Sequence, residues 1–237
     1  MTSSELKNAA RYALKENFIQ KMLLLIVPIV LSIFSVGFNI TNQKQADLNL
    51  SSADPLSNID LVALLTIVLP IILIVSFLLT IVITIFKTAA IFNYIDIFRD
   101  EKDEINLLPD ILRTFRDQSF KKIILLTLLT QVILGILVFI PIIGWAVGIY
   151  LSFSWSQASY VLYDKLKNNE YQGIWDVLNT SKELMKGYKF KYFIFNLSFI
   201  GWYLLNGLFF GLPQFWVMPY TQMSMVAFYQ ARLQDRL

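Results

Sequence analysis

Neither cysteine nor histidine occurs among the 237 residues of the chain. The absence of thiols and imidazoles excludes disulfides, zinc–thiolate sites, iron–sulfur clusters, cysteine nucleophiles and histidine-based catalytic triads. It also removes the side chain that most often transfers protons near neutral pH. The sequence therefore predicts no cofactor and no bound metal ion.

Charged residues are scarce as well. They make up 16% of the chain, against about 25% in a typical soluble domain. Hydrophobic residues make up 56%, and the mean hydropathy is +0.58. The net charge of +3 is small and the lysines are dispersed, which argues against nucleic acid as a partner. The composition therefore predicts a membrane protein.

Six apolar windows are each about long enough to cross a bilayer, which requires about 20 residues. None of them contains a charged residue. The windows are 22–40, 61–86, 123–140, 142–163, 192–212 and 214–231, the last being the least hydrophobic. We expect one all-α membrane domain over residues 1–237, a polytopic protein with six transmembrane helices arranged as three hairpins.

Lysine and arginine fall almost entirely on one side of this arrangement. The N-terminal segment, the 87–122 segment, the 164–191 segment and the C-terminal tail contain four, seven, six and two of them, whereas the 41–60 loop has only Lys44. Because basic residues concentrate on the cytoplasmic side, both termini are predicted to be cytoplasmic. The first window is long for a signal peptide and no small-residue cleavage site follows it, so we expect a retained span.

Three cytoplasmic segments are similar to one another. Residues 13–25, 114–126 and 184–196 each pass from an apolar residue and a basic residue into a span, after a short amphipathic pattern. The first copy opens with Thr2-x-x-Glu5, a capping box. A cytoplasmic interfacial helix in the headgroup layer is therefore predicted before each hairpin. The alternative is that juxtamembrane segments are commonly basic and amphipathic without being repeats.

Uncharged polar side chains within the predicted spans are candidates for function, because polar groups are costly in a bilayer. A polar seam would line a path for a lipid headgroup or a small polar substrate. The alternative, which we favour, is hydrogen bonding between helices, worth about 0.6 kcal/mol for each contact. The candidate seam consists of Gln131, Gln157, Asn196, Tyr203, Asn206, Tyr220 and Gln222.

Small residues recur at every fourth position in the fourth and fifth windows, a pattern typical of close helix packing within a fold or a homodimer. They are Gly144, Gly148, Ser152, Ser156, Gly207 and Gly211. A second group is predicted to anchor the chain at headgroup level. It consists of Trp175, Lys186, Lys189 and Lys191.

Prolines and two aspartates complete the set of candidates. Pro28, Pro70 and Pro219 lie inside predicted spans, where a missing N–H is expected to kink the helix. Asp96 and Asp164 lie near the cytoplasmic ends of the second and fourth spans. We expect both carboxylates to sit in water or to pair with neighbouring lysines, so proton or cation coupling is not predicted.

Several motifs in the C-terminal half carry a family resemblance. They are Ser181-x-x-Leu184-Met185-x-Gly187, Leu197 to Trp202, Trp216-x-x-Pro219-Tyr220 and Phe228-Tyr229. These motifs, and the N-terminal ELKNAARYALKENF, resemble a Gram-positive integral-membrane family, domain of unknown function nine-seven-five. The layout is also similar to the membrane domain of bacterial glycerophosphodiesterases. The resemblance implies a six-span helical protein of a bacterial plasma membrane, and it supplies no catalytic residues.

The spans contain no Ser–Lys pair, Asp–Asp pair or histidine–metal set, so we expect a protein that is not an enzyme. The main expectation is a membrane factor that binds a lipid or a partner protein. A transporter or flippase for a lipid or an amphipathic peptide is the alternative. The expected partners are membrane lipids, with anionic headgroups on the cytoplasmic side, and a membrane protein or a second copy of the chain.

Overall fold

A computed structural model describes residues 2–34 and 64–235, and every regular element in this part of the chain is helical. The prediction of an all-α protein is therefore confirmed. The predicted outer loop 41–60, with Lys44, and the outer ends of the first two spans lie outside the described residues. Arg236 lies outside them as well.

The described helices follow one another with short connections. They are α1 (Ser3–Lys15), α2 (Phe18–Leu23), α3 (26–34), α4 (Leu69–Phe98, preceded by a π-helical turn at Leu64–Val68), α5 (Leu107–Ile111), α6 (Arg113–Arg116), α7 (Phe120–Val138), α8 (Ile143–Ser154), α9 (Ala158–Lys167), α10 (Ile174–Leu184), α11 (Lys189–Leu197), α12 (Ile200–Leu208) and α13 (Gln214–Gln234).

Helix α1 begins at the predicted capping box. The Glu5 N–H donates to the Thr2 hydroxyl at 3.3 Å, and the Thr2 N–H donates to the Glu5 carboxylate at 2.9 Å. Leu6, Ala10 and Leu14 form its buried face, which packs against α13. The prediction placed this apolar face in the headgroup layer. In the structure the protein itself covers it, because α13 lies along it.

Burial changes along each long helix in the same way. In α4, residues 66–78 are exposed and residues 88–97 are buried. Helix α7 is buried only near its start, and α13 is buried over its second half. The buried ends pack together with α1, α9 and α10 around one hydrophobic core. Within residues 2–34 and 64–235, one end is therefore a packed protein core, and the apolar residues of the other end are largely exposed.

The described residues divide into a packed base and three apolar arms. The base consists of α1, residues 85–98 of α4, α9, α10 and residues 223–234 of α13. The arms are the largely exposed apolar segments 66–84, 128–153 and 200–212. The turns at the ends of the last two arms contain no charged residue.

Two of the described helices are long and apolar enough to cross a membrane. They are Thr66–Phe98, which includes the end of the π-helical turn, and Phe120–Val138. Six spans are not confirmed. The window 142–163 is interrupted at residues 155–157, and the window 192–212 is interrupted at 198–199. The window 214–231 is one helix, but its second half is buried in the base.

A serine lies at each of these two interruptions. The Ser156 hydroxyl donates to the Phe153 carbonyl at 2.9 Å, and the Ser198 hydroxyl donates to the Phe195 carbonyl at 2.5 Å. Both acceptors lie three residues earlier in the chain. Hydroxyl bonds over three residues also occur inside continuous helices, at Thr130 and Thr221, so these serine bonds accompany the breaks and do not by themselves cause them.

Two of the three prolines lie near the start of a helix. Pro70 is the second residue of α4, directly after the π-helical turn, and Pro28 is the third residue of α3. Proline costs least in the first turn of a helix, where the first N–H groups lack a partner within that helix. Only Pro219 lies in a helix interior, within α13.

Gly144 gives a direct test of the α7–α8 hairpin. A Cβ at this position would lie 2.2 Å from the Leu137 carbonyl oxygen, so Gly144→Ala forces the helices apart. We expect a loss of about 1–3 kcal/mol, seen as a lower thermal midpoint in detergent. The control is Gly135→Ala in α7, which meets nothing within 4 Å and should not destabilise. Equal midpoints for the two variants would contradict the packing.

Candidate functional site

The carboxylate of Asp164 in α9 joins three helices of the base. Arg99 donates to its two oxygens at 2.7 and 2.9 Å, and the Tyr229 hydroxyl donates at 2.6 Å. Arg99 follows the end of α4, and Tyr229 is in α13. Burial alone would lower the pKa of Arg99, but the hydrogen bonds and charge of Asp164 raise it. The guanidinium therefore stays charged and bound.

Asp96 in α4 is the centre of a second cluster. Its carboxylate accepts from Arg113 at 2.6 Å, from Lys167 at 3.1 Å and from the Tyr163 hydroxyl. Lys167 also pairs with Glu101. Burial opposes the charged ammonium, yet the bonds to Glu101 and Asp96 raise the pKa of Lys167. Both aspartates are therefore paired: Asp164 with an arginine and a tyrosine, and Asp96 with an arginine, a tyrosine and a lysine, the residue type that was expected.

Three buried tyrosines recur at the same place in the helices of the base. Tyr94, Tyr163 and Tyr229 each lie four or five residues before the end of a helix. Tyr94 donates to the Lys21 carbonyl at 2.7 Å, while the other two bind the aspartates. Our sequence reasoning missed them. The signal is a tyrosine followed six residues later by Asp or Asn, in YIDIFRD, YDKLKNN and YQARLQD.

A cavity lies beside each aspartate. One, of about 410 Å³, is lined by Asp96, Arg113 and Lys167 among others, and one of about 470 Å³ is lined by Arg99 and Asp164. The central carboxylates already have cationic and hydroxyl partners. The charge of the two central carboxylates is therefore largely compensated within the protein.

A different environment occurs where α1 meets α12 and α13. A groove of about 450 Å³ lies between them, and we call it the α1 groove. Its lining is mostly apolar and aromatic, with two cations from α1. The residues are Arg11, Leu14, Lys15, Phe18, Trp202, Trp216, Val217 and Tyr220.

The cations of α1 share one face of the helix. Lys7, Arg11 and Lys15 are spaced four residues apart, and none has a carboxylate within 4.0 Å in the part of the chain that the structure describes. The Lys7 ammonium lies 4.3 Å from the centre of the Phe199 ring, and the Arg11 guanidinium lies 5.5 Å from that of Tyr220. Burial, followed by the nearby charge of Arg11, lowers the pKa of Lys7.

The predicted polar seam is spread over several environments. Tyr220 lines the α1 groove, whereas Gln131 lines a different cavity. Asn196 donates to the carbonyl of Tyr192 in its own helix at 2.8 Å. The remaining members do not share one contact: Gln157 is fully buried, Tyr203 is exposed, and Asn206 and Gln222 are half-buried. A shared path through these residues stays a prediction.

Two buried oxygens of this set have no hydrogen-bond partner within residues 2–34 and 64–235. They belong to Gln157, beside the break at 155–157, and to Asn206 in α12. The Gln157 amide nitrogen donates to the Ser156 hydroxyl at 3.2 Å, which leaves its oxygen unmatched. Both lie in predicted spans, where an unmatched polar atom is costly.

The predicted packing residues fall into two groups. Gly144 and Gly148 face Leu137 of α7. Gly211 has a φ of 86°, and a Cβ added there would lie 3.2 Å from the Ile33 side chain. Gly207 faces open space. Ser152 and Ser156 bind carbonyls of their own segment.

The predicted anchors lie on or near the surface. Trp175 and Lys186 are exposed, as is Lys191, while the Lys189 ammonium lies 4.1 Å from the centre of the Tyr150 ring. Among the described residues, no group of three or more Asp and Glu side chains is placed to hold a metal ion.

Comparison with known proteins gives one match. Residues 131–236 match the model of a family described as "Protein of unknown function (DUF975)". The match spans less than half of the chain and contains the Ser181–Gly187 and Trp216–Tyr220 motifs, so it confirms the resemblance there. It does not confirm a Gram-positive origin or the similarity to glycerophosphodiesterases. No curated protein and no solved structure matches the chain.

The Asp164 cluster makes a quantitative prediction for stability. Asp164→Asn leaves Arg99 without its carboxylate, and both side chains are about four-fifths buried. We expect a loss of about 3 kcal/mol, the lower end for breaking a buried ion pair, measured by unfolding in detergent. The control is Glu183→Gln, whose Lys186 partner lies 3.9 Å away in solvent, and it should change stability by less than about 0.5 kcal/mol. A loss no larger than the control's would contradict the role of Asp164.

Proposed function

Starting from the family match over residues 131–236, we propose that this protein is a multi-pass plasma-membrane factor that binds lipids and has no enzymatic activity. The observation that carries the proposal is the division between a packed base and exposed apolar arms. A helix that is apolar on all sides and uncovered by protein is expected to face lipid.

The length of the first arm supports this. Residues 66–84 are apolar and largely exposed, and the charged and buried residues of α4 begin only beyond them, near Lys87. Nineteen residues of helix extend about 28 Å, which matches a hydrocarbon core of about 30 Å. The rest of α4, residues 88–98, then continues into the base outside the bilayer.

The fourth and fifth of the six proposed spans require that the interrupted helices cross in two pieces. Helix α8 and the start of α9 would form the fourth span, and α11 with α12 the fifth. Broken helices are tolerated in membranes where protein covers the freed backbone groups. The basic residues support the orientation, because Lys21, Lys122, Lys165 and Lys167 all belong to the end that contains the base.

The structure also supports a threefold internal repeat, with units α1–α4, α5–α9 and α10–α13. Between the amphipathic helix and the next one, the units have a residue at positive φ: Asn17 at 51°, Gln118 at 52° and Gly187 at 79°. The last helices of the first two units, α4 and α9, are each followed two residues later by a residue at positive φ: Asp100 at 53° and Asn169 at 58°. A second correspondence is the buried tyrosine near the end of the last helix of each unit, at Tyr94, Tyr163 and Tyr229.

A non-enzymatic role is supported by the bonding of the base. General acid–base catalysis requires a titratable group within reach of a substrate. The carboxylates of Asp96 and Asp164 are instead bound by tyrosine and arginine side chains. Their geometry favours a structural role in holding the hairpins together.

A transporter or flippase is the second candidate, and one observation favours it. The breaks at 155–157 and near 198–199 lie in predicted spans, and unmatched oxygens of Gln157 and Asn206 lie in the same two hairpins. Transporter sites are commonly formed by discontinuous helices with free polar groups at mid-membrane. In that case the polar seam would carry the substrate.

One experiment separates the two candidates. The purified protein and the Asn196→Leu, Asn206→Leu double variant are reconstituted in liposomes and assayed for translocation of a labelled phospholipid, with retained lipid counted by native mass spectrometry. We expect lipid retention by both proteins and translocation no faster than in empty liposomes. Asn206→Leu removes an oxygen that has no partner, and Asn196→Leu removes one hydrogen bond to the Tyr192 carbonyl in the same helix, so we expect a loss of stability of no more than about 1 kcal/mol.

Asn179→Leu in α10 serves as the control, since it removes an exposed amide that lies outside the polar seam. Translocation by the wild type that is lost only in the double variant would favour the transporter. Absence of any retained lipid on the wild-type protein would contradict the proposed function.

A further inference from the structure

The α1 groove lies at the junction of the base and an arm. Leu14 belongs to the base, whereas Trp202 belongs to the last arm. In the orientation of the proposed function, on which this inference rests, that junction is at the level of the cytoplasmic headgroups. Tryptophan is enriched at this level because its ring is apolar and its N–H is polar.

The charge of the groove is one-sided. Lys7, Arg11 and Lys15 place three positive charges along one face of α1, and like charges four residues apart destabilise a helix. Elsewhere in the base, Arg99 and Arg113 bind carboxylates. No described carboxylate lies within 4.0 Å of the α1 cations, although Lys7 donates to the Ser198 carbonyl at 3.0 Å. An anion bound at Arg11 and Lys15 would therefore gain attraction without competing with a carboxylate.

The lining determines which anion fits. Trp216, Trp202 and Phe18 give the groove an apolar surface, and Val217 forms part of its floor. A small inorganic anion would use the cations and leave this surface in contact with water. A molecule with an acidic head and a hydrocarbon chain satisfies both parts, and arginine binds phosphate oxygens through paired N–H groups.

We propose that the α1 groove binds one acidic phospholipid of the cytoplasmic leaflet, with its phosphate on Arg11 and Lys15 and an acyl chain along Trp216 and Phe18. Lys7, on the same face, adds attraction at longer range. The groove volume of about 450 Å³ is within the range of ligand pockets and is enough for part of one chain.

The test titrates the full-length protein in detergent with dioleoyl phosphatidylglycerol and counts bound lipid by native mass spectrometry. Arg11→Gln with Lys15→Gln should weaken binding about tenfold or more, because each cation near a membrane surface contributes to anionic-lipid affinity. The control, Lys186→Gln with Lys191→Gln, removes the same charge from exposed positions outside the groove and should change affinity less than about twofold.

Two further variants keep the test decisive if the double variant does not fold. Arg11→Lys keeps the charge but loses paired N–H donation, and a smaller loss of affinity is expected. Trp216→Ala removes a half-exposed ring from the groove wall and should weaken binding of the phospholipid without changing the binding of glycerol phosphate. Unchanged phospholipid affinity in both variants would overturn the proposal.

The remaining outcomes are equally decisive. Equal losses in the groove and control variants would show a diffuse electrostatic effect and overturn the site. Inorganic phosphate binding as tightly as the phospholipid would overturn the assignment to a lipid. If other lipids are retained independently of the groove, the inference fails while the proposed function stands. If the wild-type protein retains no lipid, both fail.

Discussion

The hydrogen bonds to two aspartate carboxylates hold the ends of the long helices together. Asp164 binds Arg99 and Tyr229, and Asp96 binds Arg113 and Tyr163. Each carboxylate thus receives a guanidinium and a hydroxyl from other helices. Partly buried charges are stable only when they are fully paired, so these contacts fix the relative position of α4, α9 and α13.

The remaining architecture depends on that fixed base. With their polar ends fixed, the hairpins can extend apolar arms that make few contacts with one another. The α1 groove forms where α1 covers α13 and the last arm begins. The proposed site for an amphipathic ligand follows from this junction, because apolar rings and basic side chains meet there.

The sequence was sufficient for the helical class, the capping box at Thr2 and the basic end of the molecule. It was not sufficient for the spans. A hydropathy window cannot tell lipid from protein as the apolar surroundings, so it does not reveal that the second half of α13 is buried in the base. Nor does it detect the breaks at 155–157 and 198–199, which contain no proline or glycine. The recurring tyrosines can be seen in the sequence, but their hydrogen bonds to the two aspartates and to the Lys21 carbonyl can be seen only in the structure.

The most direct test of the account is the side of the membrane on which the base lies. Because the chain contains no cysteine, single cysteines can be introduced by Asn49→Cys in the polar 41–60 loop and Asn168→Cys at the end of α9. They can be probed with a membrane-impermeant maleimide in intact cells and in inverted vesicles. The account predicts labelling of position 49 from outside and of position 168 only from the cytoplasmic side. Labelling of both positions from the same side would contradict it.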